Sequence, residues 1–227
     1  MKRTGKFIMA TVIAMAATAS AHAQYYEIAG QLPSLISPAL SGSLNYKGFV
    51  EASGTAGIGD SRANFIGVST SQGFKYADWF FMGVGIGVDV AMAKNVNYDD
   101  QNQPPYDGDY YYHSSDKTKV MIPVFTDFRF NIGSQQNVSA FIDLKVGASW
   151  LIGDTYLALD NGYLSNGTQF YLKPSVGVRI PVDKTHLNRA FNISVTYQLL
   201  TSNNNYRWYN DGSVTLSNFG VTLGYEW

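Results

Sequence analysis

From about residue 44 to its end the chain alternates between apolar and small or polar positions, in separate runs divided by turn-rich segments. In FFMGVGIGVDVAM, Phe80, Met82, Val84, Ile86, Val88 and Val90 share one face, while Phe81, Gly83, Gly85, Gly87, Asp89 and Ala91 share the other. VMIPVFTDFRFN sets Val120, Ile122, Val124, Thr126, Phe128 and Phe130 against Met121, Pro123, Phe125, Asp127, Arg129 and Asn131. VSAFIDLKVGASW does the same, with Ile142 and Leu144 on the apolar face and Asp143 and Lys145 opposite. The pattern recurs in FYLKPSVGVRI (Phe170 to Ile180), FNISVTYQL (Phe191 to Leu199) and the closing FGVTLGYEW (Phe219 to Trp227), with weaker versions at Tyr46 to Ile58 and Asn64 to Gly73. Successive side chains of a strand point to opposite faces, so this period of two predicts about eight strands. Each is near the length, about 9–11 residues, that crosses a bilayer obliquely.

The links between these runs alternate in length. Phe74–Trp79, Ile132–Asn137 and Val182–Ala190 are short, whereas Ala93–Lys119, Leu151–Gln169 and Thr201–Gly212 are longer or more polar, with one small link at Gly59–Arg62. Short turns at one end and long loops at the other are the layout of a membrane barrel. The charges then sort the faces. Lys47, Glu51, Asp89, Asp127, Arg129, Asp143, Lys145, Lys173, Arg179 and Glu226 all fall on the small and polar face, and the apolar face carries essentially none. A soluble sheet with such faces needs a second layer to cover the apolar one, and no amphipathic helix long enough to do so is present. The expected fold is therefore all-β: an eight-stranded antiparallel up-and-down transmembrane β-barrel over residues 44–227, apolar face to lipid and a mutually neutralising charge network in the lumen.

The first residues read as an export signal. Lys2, Arg3 and Lys6 precede an uncharged, mostly apolar stretch from Phe7 to Ala19, and Ala21-His22-Ala23 is a small-x-small site that predicts cleavage before Gln24. The chain has no cysteine, which excludes a lipoprotein anchor and any need for disulfides outside the cytoplasm. Residues 24–43 do not alternate; Ile28, Leu32, Leu35 and Ile36 have helical spacing, but Pro33 and Pro38 limit any helix to a turn or two, so a short periplasmic helix is expected. A net charge of −1 argues against a nucleic-acid binder. Gly 22, Tyr 16 and Phe 13 in a chain with 15% charged residues favour strands and turns over helices.

The runs YKGFVEASGTAGIG (Tyr46–Gly59), STSQGFKYADWFFMGVGIGV (Ser69–Val88), IPVFTDFRFNIG (Ile122–Gly133), FIDLKVGAS (Phe141–Ser149), LKPSVGVRIPV (Leu172–Val182) and the terminal FGVTLGYEW resemble small outer-membrane β-barrels of Gram-negative bacteria of the OmpA/OmpX type, in texture those of the Bacteroidetes. The resemblance implies an outer-membrane location and outer-membrane lipid as surroundings. It also implies that Phe219, Val221, Leu223, Tyr225 and Trp227, on a last strand ending in an aromatic residue, form the signal read by the barrel-assembly machinery.

Other candidate chemistry is weaker. Gly83, Gly85 and Gly87 lack the third glycine of a dinucleotide fingerprint and have no βαβ unit around them; they are read instead as small inward residues facing bulky ones such as Phe125, Phe141 and Tyr171. Asp99, Asp100, Asp107, Asp109, Asp116 and His113 gather in a tyrosine-rich loop, but their spacing matches no calcium loop, so a solvated loop with a surface-contact role is expected rather than a metal site. Past the signal the histidines are His113 and His186, one in a long loop and one in a turn at the other end, so they cannot share a catalytic site. No cofactor and no enzymatic activity are expected. The sequence favours a structural or surface-interaction barrel with a closed lumen, in which the loops can meet a surface ligand. A narrow or gated porin-like channel is the alternative, and a soluble periplasmic barrel holding an apolar ligand is the third reading.

Overall fold

The computed structural model of the chain describes residues 45–59, 62–93, 115–134, 136–159, 162–164, 167–182, 189–202 and 214–227. Eight long strands dominate: β1 (Asn45–Ile58), β2 (Ala63–Ala77), β3 (Phe80–Ala93), β4 (Thr118–Ile132), β5 (Ser139–Leu151), β6 (Gln169–Pro181), β7 (Ala190–Ser202) and β8 (Val214–Glu226). Each pairs antiparallel with its chain neighbours, and β8 pairs with β1, so the sheet closes into an eight-stranded barrel. Closure removes both sheet edges. The export signal expected over residues 1–23 and the short helix expected within 24–43 lie outside the described residues.

The register fixes the barrel's shape. Stepping from Gly48 through Gln72, Val84, Thr126, Val146, Leu172, Leu199 and Ser217 returns to β1 at Ile58, ten residues (58 − 48) beyond the start. Such a stagger requires strands tilted by roughly 35–45° from the axis. It also explains why the strands run to 13–15 residues, longer than the expected spans. At a tilt of about 40°, 13 residues rise only about 33 Å along the axis, close to the hydrocarbon thickness of a bilayer.

Strand boundaries moved most at β8, which begins at Val214, five residues before the alternating run FGVTLGYEW. Ser217 and Asn218 blur the pattern there, yet Asn218 is inward and donates to the carbonyl oxygen of Ala63. The short links are tight: β2 passes to β3 through Asp78 and Trp79 alone. Across that turn Lys75 Nζ donates to Asp78 Oδ1 at 2.6 Å, and this hydrogen bond holds the exposed Asp78 carboxyl below its ordinary value. At the opposite end the long links carry structure of their own. Ser115–Asp116 pairs in parallel with Tyr156–Leu159, which pairs antiparallel with Gly162–Leu164, giving a small three-stranded sheet at the loop end of the barrel.

The two faces separate as the alternation requires. Outward-facing Ile66, Val68, Ile86, Val88, Val176, Val195, Phe219, Val221 and Leu223 are each about half exposed or more, although they are large and apolar. All ten charged residues assigned to the polar face are buried inside. A soluble barrel has the reverse arrangement, with apolar side chains or an apolar ligand filling its interior.

Candidate functional site

Burying ionised side chains is tolerated only when they are paired and hydrogen-bonded, so the geometry of the interior decides what it can do. The ten charges the alternation assigns to the interior comprise Lys47, Arg129, Lys145, Lys173 and Arg179 against Glu51, Asp89, Asp127, Asp143 and Glu226, to which the structure adds Lys119. They divide into groups rather than forming one web.

The central group joins opposite walls. Register places Asp127 beside Lys145 and Arg129 beside Asp143 on β4 and β5. Lys145 Nζ lies 2.8 Å from Glu51 Oε2 on β1 and 3.8 Å from Asp127, and it contacts Asp143 as well. Arg129 Nη2 reaches Glu51 Oε1 at 2.5 Å and Asp143 Oδ2 at 3.3 Å. The guanidinium also sits 4.0 Å from the ring centroid of Phe49 and 4.6 Å from that of Phe141, so aromatic faces shield it where carboxylates do not. Three carboxylates meet two cations here.

A second group lies at the turn end. Lys47 Nζ is 2.8 Å and Arg179 Nε 2.5 Å from Glu226 Oε1, and Asn192 donates to Oε2 at 3.4 Å. Among the described residues two cations meet one carboxylate here. Asp89 and Lys173 form no ion pair with each other within 4 Å. Asp89 instead accepts from Gln198 at 3.3 Å across the full width of the barrel, β3 to β7, and Lys173 donates to Ser53 Oγ at 2.8 Å. Gly67 leaves room for this carboxylate, since a Cβ there would fall 1.8 Å from Asp89 Oδ1. Gly85 faces Phe125 as expected, its virtual Cβ lying 2.4 Å from the ring, but Gly83 faces Phe81 rather than Phe141 or Tyr171.

The loop-end part of the interior departs from the expected charge-filled lumen. Phe65, Met121, Phe125, Leu151, Tyr171 and Leu200, with Leu216 and Val214, form an apolar cluster inside the barrel mouth. Leu157, Leu159 and Leu164 of the link between β5 and β6 pack into it and are almost fully buried. This link was expected as one of the longer or more polar loops; the alternation in TYLAL is present but short. Lys119, which is not among the expected inner charges, is also inward, 6% exposed, and donates to Thr155 Oγ1 at 2.6 Å.

At the seam, Phe219, Val221 and Leu223 are more than half exposed on the outer face, and Tyr225 stacks on Trp227 and meets Phe191 at a tilt. Trp227 exchanges backbone hydrogen bonds with Gly48 at 3.0 and 3.1 Å. Its indole lies over Gly48, where a Cβ would sit 2.6 Å from the ring. Asp99, Asp100, Asp107, Asp109, His113 and His186 lie outside the described residues, as does the side chain of Asp116. Among the described residues no group of three or more His, Cys, Asp or Glu is placed to hold a metal ion.

No protein-family model matches the chain. No curated protein matches it in sequence. Among solved structures it is similar to Neisserial surface protein A (TM-score 0.45, 11% identity, covering 80% of this chain and 95% of that one). It is also similar to the outer membrane enzyme PagL (0.44, 13%, 78% and 97%). A third is the N-terminal β-barrel domain of Pseudomonas aeruginosa OprF (0.38, 11%, 80% and 97%). At these identities and TM-scores the barrel's architecture is established by its own strand order and register.

Proposed function

We propose that the chain is an integral outer-membrane β-barrel with a closed lumen, serving a structural or surface-interaction role and carrying no enzymatic activity. The observation that carries this reading is the inversion of its faces: large apolar side chains stand exposed around the outside while, among the described residues, eleven charged side chains are buried within. In water that outer face would be an extended apolar patch of the kind that drives association; in a bilayer it meets its own kind of solvent, with every strand hydrogen-bonded to two neighbours. Export by the N-terminal signal, folding by the barrel-assembly machinery through the last strand, and the texture shared with Bacteroidetes barrels belong to the proposal and rest on the sequence.

Closure of the lumen is supported by the cross-barrel contacts of Glu51 and Asp89 and by the apolar cluster above them. Two measurements test the proposal. Fractionation with heat-modifiable mobility on a gel should find the protein in the outer membrane, and recovery from the soluble periplasm would defeat the membrane reading. Purified protein in a planar bilayer should give no steady single-channel conductance; steady steps would favour the narrow-channel alternative.

A further inference from the structure

Two of the long strands carry a proline well inside their length, Pro123 in β4 and Pro174 in β6. Proline has no backbone N–H to give to a ladder, so within sheets it belongs to edge strands, first residues and bulges, and a closed barrel has no edge. The register shows the effect. Between β3 and β4 the pairing passes from Ile86–Val124 to Asp89–Met121 and skips Gly87–Pro123 and Val88–Ile122. Between β6 and β7 it passes from Thr196–Ser175 to Leu199–Leu172 and skips Tyr197–Pro174 and Gln198–Lys173. On their other sides the same prolines sit in unbroken ladders, Pro123 with Ser149 and Pro174 with Leu144. Opposed residues of an antiparallel pair alternately exchange both backbone hydrogen bonds and none. A proline breaks only the first kind, so the carbonyl oxygens of Gly87 and Tyr197 are the acceptors left without a ladder donor. Hydrocarbon supplies no substitute.

The two breaks are tied to each other across the lumen. Gln198, from one skipped pair, donates through Nε2 to Asp89 Oδ2 at 3.3 Å, and Asp89 is the residue at which the β3–β4 ladder resumes. Both side chains are buried. The geometry points to a conformational device: two joints in the wall, Gly87/Pro123 and Tyr197/Pro174, at which the barrel changes its cross-section, held closed together by the Asp89–Gln198 strut. Local opening begins where backbone pairing is weakest. The strut couples the joints, so loosening one loosens the other.

The inference goes beyond the closed-lumen reading and uses only strand register and one side-chain contact, so it stands or falls apart from conduction. Amide exchange of the protein in lipid nanodiscs, followed residue by residue by NMR, tests it. The amides of Gly87 and Tyr197 point into the broken seams. Those of Val88 and Gln198, next in the chain, point into unbroken stretches facing Val68 of β2 and Asn218 of β8. Gly87 and Tyr197 should have protection factors about tenfold lower than Val88 and Gln198, the shift that one net hydrogen bond is worth. Pro174→Ala supplies the missing N–H and should raise the protection of Tyr197 and, through the strut, of Gly87 on the far wall. Gln198→Ala removes the strut and should lower the protection of Gly87 while Val88 keeps its own. Equal protection of the neighbouring amides in the unaltered protein overturns the joints. A Pro174→Ala effect confined to Tyr197, or a Gly87 amide unmoved by Gln198→Ala, overturns their coupling. Should Gln198→Ala fail to fold, the Pro174→Ala comparison decides the coupling alone.

Discussion

Glu51 and Lys145 stand on diametrically opposed strands, β1 and β5, and meet at 2.8 Å in the middle of the lumen. A contact of that length spans the whole barrel at its level, and each partner depends on the other to offset burial.

Adjacent residues on β5 should therefore fail in different ways. Leu144→Arg places a cation on the outer apolar face and should cost about 2–4 kcal/mol near the bilayer midplane, seen as a fall in the fraction that inserts. Lys145→Gln should insert normally but leave Glu51, Asp127 and Asp143 with Arg129 alone; breaking such a buried cluster costs about 3–5 kcal/mol, read as a lower urea midpoint in vesicles. Equal loss of insertion in both variants would mean the faces are misassigned.

The cross-lumen contacts also predict how conduction could be created. Arg129→Ala with Lys145→Ala removes both cations that bridge to Glu51. Single-channel steps should appear in planar bilayers where the unaltered protein is silent. Silence in the double variant would place the barrier elsewhere, with the apolar cluster at the loop end the next candidate.

Gly48 should matter as much as the residue it receives. A valine there would collide with the Trp227 ring, so Gly48→Val should slow the appearance of the heat-modifiable form about as much as deletion of Trp227 does. Normal assembly of Gly48→Val would show that seating of the indole is dispensable.

Two other glycines give a contrast in the finished barrel. Gly85→Ala pushes a methyl group to within 2.4 Å of the Phe125 ring and 2.7 Å of a backbone oxygen, and overpacking of this kind costs about 1–3 kcal/mol. Gly54 has nothing within 4 Å of its virtual Cβ, so Gly54→Ala should leave the urea midpoint unchanged.

The division of faces was legible because it repeats every second residue: each of the ten charges assigned to the inner face is buried there. Closure of β8 on β1 was legible too, from a last strand with one wholly apolar face. What could not be read was partnership across the lumen. Glu51 and Lys145 are 94 residues apart (145 − 51), and their meeting depends on barrel width and stagger, which no local pattern encodes. The start of β8 was hidden by Ser217 and Asn218, polar residues whose strand is set by pairing with β7 and β1 rather than by their own preference. The burial of Leu157 and Leu159 was hidden because a run of four or five alternating residues carries too little signal to stand out from a loop.

The inner charges are unevenly placed along the barrel axis. Among the described residues Lys47 and Arg179 meet Glu226 at the turn end, Glu51, Asp127 and Asp143 meet Arg129 and Lys145 four residues further along β1, and Lys173 and Lys119 lie with Asp89 toward the loop end. The lumen thus holds a fixed, uneven charge pattern inside a low-dielectric wall. An applied voltage acts on it oppositely in the two orientations a reconstituted barrel can take, so rectification, if variants conduct, would reveal which end faces which chamber.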